Sequence, residues 1–314
     1  MMIASSCGGS DGKKSSGPNG LEKSEIKVGV IPIADAVAVP LAQAKGYFKA
    51  EGLTVKIEKI QGGAIATQSL MAGSLDVTQS NYVSTLLARS KKQGIKVVAD
   101  AASARPGLFK LMVRKDSPVR SPGDLKGKTI AVNTKRNVGE LAVRSTLNIH
   151  GIKGDELKFV EYAFPEMGPA LEKKQVDAAW VTEPFISTGE SKQGLRAVAD
   201  TMAGPTAELP IAGWQVTEKF SKENPKTVAA FRRAVVKAQQ LASQDRSAVQ
   251  DTLPSYTTIT DKNLIKVITM PGYPTSLSNR RIQRVADLMK QFEYLPSGMD
   301  TNALVKATLE GATD

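Results

Sequence analysis

Apolar and polar positions alternate most sharply between residues 25 and 100. Ile26, Val28 and Val30 recur with a period of two in IKVGVIPI, which predicts a strand ended by Pro32. Asp35 then precedes an apolar run over 36–44, whose content predicts a buried helix closed by Lys45-Gly46. The pattern continues as a strand over 54–58, a helix over 63–72, a strand over 75–78, a helix over 82–92 and a strand over 96–100. Strands and helices in strict alternation predict an α/β fold with a mostly parallel sheet clad by helices.

The chain is organised around residues 61–84, QGGAIATQSLMAGSLDVTQSNYVS. Gly62-Gly63-Ala64 leads into one helix, and the polar loop Gln79-Ser80-Asn81-Tyr82 follows the next strand. Loops leaving the carboxyl ends of neighbouring strands face one crevice, where helix-start N–H groups and polar side chains can hold a small ligand. Asp35, Gly63, Ala64, Asn81 and Tyr82 are therefore candidate ligand-binding residues. Nothing in the stretch pairs a nucleophile with a base. Tyr47 and Phe48 read as core, and Asp76 as a local cap. Arg105, in ASARPG, is either an anion clamp or a solvated surface residue.

In the second half, residues 108–114 predict a strand returning across the first lobe, broken by Lys115-Asp116-Ser117-Pro118. A strand over 129–132 delivers Asn133 to Gly139 to the helix at 140–150, with Asn133, Thr134, Asn137 and Val138 as a second candidate group. Lys135 and Arg136 are ambiguous between a ligand clamp and a charged rim. The strand over 176–181 ends in Thr182-Glu183-Pro184-Phe185; Glu183 either reads an amine or caps the helix that follows. Residues 210–217 predict the second crossing. They carry Trp214, which is either hinge core or a platform for a flat ligand. The organisation expected is a leader over 1–24, one lobe from 25–115 and 210–314, and a second lobe from 116–209. Hinges are expected at 115–118 and 209–213.

Composition narrows the chemistry. A chain of 314 residues is long enough for two domains of common size. The net charge of +11 comes from Lys and Arg spread along the chain. With an aromatic fraction of only 5% and no zinc-finger or RNP-like pattern, no nucleic-acid partner is expected. No window approaches the ~18 apolar residues of a membrane span. One His and one Cys cannot build a His/Cys metal site, no Asp/Glu group has EF-hand spacing, and no Walker or Rossmann fingerprint is present. A Ser–His–Asp triad would depend on His150 at a helix end. No metal and no cofactor is expected.

GVIPIADAVAVPLAQAKGYFKAEGLTVKIEKIQGGAIATQSLMAGSLDVTQSNYVS resembles the opening of substrate-binding proteins of ABC importers, in the nitrate/sulfonate/taurine and thiamine-pyrimidine group. The resemblance is carried by Gly46-Tyr47-Phe48, Glu51-Gly52-Leu53, Gly62-Gly63 and Ala72-Gly73-Ser74-Leu75-Asp76-Val77 in that order, and later by DLKGKTIAVNT and the Trp-x-x-Glu-Pro ending. It implies a two-lobed periplasmic-binding fold of type II that closes on a small solute, an ABC permease as partner, and a monomer. Cys7, in Ala4-Ser5-Ser6-Cys7 ahead of a Gly/Ser/Lys-rich tether, resembles the lipidation box of a bacterial lipoprotein. That implies an extracytoplasmic protein tethered through Cys7. Two other classes share the architecture. Thiamine-pyrimidine synthases consume a histidine of their own chain and carry a Cys-rich motif that is missing here. Effector domains of LysR-type regulators follow a helix-turn-helix that the leader does not show. The ligand stays open: Arg105, the overall charge and the helix starts favour an anion, while Glu183 and the aromatic candidates favour an amine or a pyrimidine-like ring.

Overall fold

The computed structural model describes residues 20–313, and among these ten strands form two five-stranded sheets. The strands are β1 (Glu25–Val30), β2 (Thr54–Lys59), β3 (Val77–Asn81), β4 (Ile95–Ser103), β5 (Phe109–Arg114), β6 (Thr129–Val132), β7 (Lys158–Glu161), β8 (Ala178–Thr182), β9 (Leu195–Asp200) and β10 (Pro210–Thr217). The first sheet runs β2-β1-β3-β10-β4 and the second β7-β6-β8-β5-β9. The two orders are equivalent. Each has three parallel strands, then one antiparallel strand that enters directly after a crossing between sheets, then an edge strand. β1 shows how patterning sets this up, with Ile26 and Val28 fully buried between exposed Glu25 and Lys27. β8 and β10, flanked by strands on both sides and covered by helices, are apolar almost throughout.

The helices are α1 (Ala38–Ala44), α2 (Tyr47–Ala50), α3 (Gly63–Met71), α4 (Tyr82–Ser90), α5 (Val138–Ile149), α6 (Phe164–Glu172), α7 (Phe185–Lys192), α8 (Glu218–Glu223), α9 (Pro225–Gln244), α10 (Arg246–Tyr256), α11 (Lys262–Val267), α12 (Asn279–Gln291) and α13 (Thr301–Thr308). α9 and α10 pack on α1, and α12 and α13 pack on α4, so the carboxyl-terminal helices complete the first lobe.

Three expectations are corrected. The strand at 109–114 does not return across the first lobe; β5 pairs antiparallel with β8 and β9 in the second sheet. The ladder of the first sheet ends at Ser103 because Pro106 has no N–H to donate and Gly107 turns with φ +79°. The crossings therefore lie at 104–108 and 201–209, pinned side by side where Ala104 N donates to Leu209 O at 2.8 Å. Residues 115–118 instead turn within the second lobe. Gln79, Ser80 and Asn81 are not a loop but the buried end of β3, since β10 supplies antiparallel partners from Asn81 to Thr78. The leader is also shorter than 1–24. Leu21 is core, and the Glu22 carboxylate accepts from Thr227 N at 3.0 Å near the start of α9. Cys7 and its lipidation box lie outside the described residues.

Candidate functional site: the cleft between the lobes

β1, β3 and β6 all aim their carboxyl ends at one small cavity with about 30 Å³ of free space. The first lobe's wall begins just past β1, where a 3-10 turn at Ala34–Ala36 carries Asp35. Tyr256 on α10 donates its hydroxyl to Ile33 O at 3.0 Å, and Tyr273 donates to Ala34 O at 3.2 Å. Both phenols hold the backbone of the turn rather than the carboxylate. Asp35 is 1% exposed, and its Oδ1 has no hydrogen-bond partner. Burial pushes its carboxyl up to about 7, opposed only by its own backbone N–H. A lone buried carboxylate without a counter-charge is costly.

Gly63 and Asn81 complete this wall. Gly63 opens α3 outside the left-handed region, so conformational freedom is not what selects glycine there. Space is. A Cβ on Gly63 would lie 2.6 Å from Asn81 Nδ2 and 2.9 Å from Ser80 Oγ. Asn81 caps α4, its Oδ1 accepting from Ser84 N at 2.9 Å. Gln79 is fixed from behind, its Oε1 accepting from Ile31 N at 3.2 Å.

The second lobe contributes an aromatic wall. Trp180 stacks on Phe109 with centroids 4.3 Å apart and planes within 3°, and Phe164 leans on it at 6.0 Å. The indole N–H donates to Thr201 Oγ1 at 2.9 Å. Gly139 permits the indole's position, because a Cβ there would come 2.5 Å from the ring. Asn133 and Val138 close the wall, and Asn133 Oδ1 is buried without a partner. Among the described residues, no Lys, Arg or His lines the cavity.

The walls meet along one edge. Asn137 Nδ2 in the second lobe donates to Ser84 Oγ in the first at 2.8 Å, and Arg136 reaches Glu293 O at 3.1 Å while lying 5.1 Å over the Tyr294 ring. The lobes are closed on each other.

Of the sequence candidates, Asp35, Gly63, Asn81, Asn133 and Val138 come together around the cavity. Ala64, Thr134 and Asn137 line the groove at its outer edge, with Lys135 and Arg136. The remaining four lie elsewhere. Tyr82 is in the core of the first lobe, donating to Asp100 Oδ1 at 2.9 Å, because its side chain turns inward from the start of α4. Trp214 packs edge-on against Phe231, also in the core. Arg105 is exposed on the first crossing, beside Gly272. Glu183 caps α7, accepting from Ser187 N and Oγ at 3.1 and 2.8 Å, and accepts from Thr269 N at 3.3 Å. Burial pushes its carboxyl up, opposed mainly by the Ser187 hydrogen bonds. Phe109, Phe164 and Trp180 were missed. Trp180 sits in a strand apolar on both faces, where no alternation marks the side that meets the cleft. Phe109 was hidden by assigning its strand to the wrong lobe.

A family profile described as NMT1/THI5 like matches residues 34–248, well over half of the chain. The chain belongs to that family. It is 24% identical over 226 residues to YtlA, a candidate binding protein of Bacillus subtilis, covering 70% of this chain and 67% of that one. It is 25% identical over 233 residues to the riboflavin-binding protein RibY of Chloroflexus aurantiacus, covering 72% and 65%. The matches thus span about two thirds of those relatives' own lengths. The periplasmic nitrate-binding protein NrtA of Synechocystis has a similar structure, with a TM-score of 0.80 at 16% identity over 92% of this chain and 87% of that one. At that identity the likeness establishes the two-lobed periplasmic-binding fold.

Proposed function

We propose that this protein is an extracytoplasmic receptor that captures a small solute between its lobes and presents the closed form to an ABC permease. The observation that carries this reading is the cleft. Two lobes joined by two adjacent crossings converge on one cavity, clasped by the Asn137–Ser84 hydrogen bond. The family and the binding proteins that the chain resembles support the same reading. The cavity-lining residues offer polar atoms to a ligand but no nucleophile activated by a neighbouring base. His150, which a synthase on this fold would need in the cleft, is instead exposed at the end of α5. The protein works as a monomer and does not alter its ligand. Cys7 tethers it to the membrane, so Cys7→Ser is expected to move it from the membrane to the soluble fraction of cells.

The test is recovery of the captured solute. Protein saturated with a ligand is denatured, and the released compound is weighed by mass spectrometry. One unchanged molecule per chain is expected; a product of different mass would overturn the reading in favour of an enzyme.

A further inference from the structure

The cleft carries information about charge that the surface does not. The protein has a formal charge of +11, yet its cavity is lined by one buried carboxyl and no basic side chain. Asp35 Oδ1 and Asn133 Oδ1, from opposite lobes, are buried acceptors without donors. Two other amide oxygens there are already bonded, Gln79 Oε1 to Ile31 N and Asn81 Oδ1 to Ser84 N. Phe109, Phe164 and Trp180 supply the apolar wall.

We propose that the solute is a compact organic cation, whose N–H groups donate to Asp35 and Asn133 and whose body lies against the Trp180 and Phe164 rings. This rests on the receptor reading above and names the class of ligand for it. Each feature answers a separate need of such a ligand. A buried carboxylate neutralises the charge, an amide oxygen takes a second N–H, and the aromatic wall keeps water from the pair. An anion would find amide N–H groups there but no cationic side chain. It would face Asp35 at close range in a site where charge repulsion is poorly screened, with no guanidinium or ammonium to hold it. Because both acceptors belong to different lobes, one ligand with two N–H donors also bridges them. Closure and recognition are then the same event.

The pH dependence follows from Asp35. The ionisable groups nearest it are Tyr256 on α10 and Tyr273 in the 271–274 segment, both pushed well above the ordinary phenol range by burial and so neutral throughout. With the free carboxyl near 7, a cation competes with a proton for Asp35, and affinity is expected about tenfold higher at pH 8 than at pH 6.

The experiment uses the full chain and three probes of one shape: acetamidinium, acetamide and acetate, with methanesulfonate and nitrate as further anions. Melting temperature is followed against probe concentration at pH 6 and pH 8. Acetamidinium is expected to raise it, more strongly at pH 8, while acetamide needs at least tenfold more and the anions do nothing. Asp35→Asn is expected to weaken acetamidinium at least tenfold and to remove the pH difference, and Asn133→Ala to weaken it severalfold at both pH values. Stabilisation by acetate, methanesulfonate, nitrate or acetamide in preference to acetamidinium would overturn the cation assignment and leave the receptor reading intact. Silence of all five probes toward correctly folded protein would likewise overturn the cation assignment, the receptor reading being tested separately by recovery of a captured solute.

Discussion

Asp35 is where the sequence and the chemistry of this protein meet. In the sequence it stands out only as a charged residue at the head of an apolar run, which is also what a helix cap looks like. In the fold it caps nothing: the residue before the 3-10 turn is Ile33, and Asp35 Oδ1 is left without a donor, the carboxylate being favoured only by its own backbone N–H. A carboxyl held near 7 instead of its ordinary 3.8 makes ionisation within the fold unfavourable by on the order of 4 kcal/mol. The folded form binds the proton more tightly than the unfolded chain, so this contribution to stability is intact below about pH 4 and is lost as pH rises through 7. Without ligand, Asp35→Asn is therefore expected to melt well above the wild type at pH 8 and close to it near pH 4, as followed by circular dichroism. A variant less stable than the wild type at pH 8 would mean that the carboxylate has a partner. Tyr82 and Trp214 teach the opposite lesson. Both are adjacent in sequence to plausible loops, but a side chain's direction at a helix start or in a two-sided strand is set by packing, which a single sequence does not display.

At the scale of elements, most of the sheet-and-helix alternation was legible because its periodicity is strong. The errors came from pairing. β5 reads as a strand in either lobe; only Pro106 and Gly107, which stop the first sheet's ladder, decide that it begins the second. The end of β3 looked like a polar loop because Gln79, Ser80 and Asn81 are polar, yet Ala212, Gly213 and Trp214 of β10 partner them from far along the chain. Long-range pairing of that kind overrides local composition. The turn-to-helix segment at 137–138 has a function that was only half visible. Asn137 was expected to touch ligand, whereas its Nδ2 joins Ser84 across the edge of the cleft. Asn137→Ala and Ser84→Ala are each expected to weaken ligand binding severalfold, in line with about 1 kcal/mol for such a bond. The double variant should be no worse than either single one, which titration calorimetry would show. Additive losses would mean that the two residues act separately.

For the molecule as a whole, the chain carries +11 while, among the described residues, the inner cavity is lined by one carboxyl and no basic side chain, Lys135 and Arg136 rimming the groove outside it. Under the cation proposal, the local inventory of the cavity and not the net charge is the guide to the ligand. The two-lobed architecture was readable from the ordered sequence pieces that resemble binding proteins, while the position of the crossings was not. Capture depends on relative motion of the lobes, because a cavity of about 30 Å³ must open to admit any solute larger than water. Ile65 on α3 and Ile149 at the end of α5 are exposed and lie in different lobes, so spin labels placed there report the separation directly. Electron–electron double resonance between these labels, with and without the probe that most raises the melting temperature, is the deciding measurement. A broad or longer distance distribution that collapses to a single short distance on saturation is predicted; a distribution unchanged at saturation would contradict closure around a captured solute.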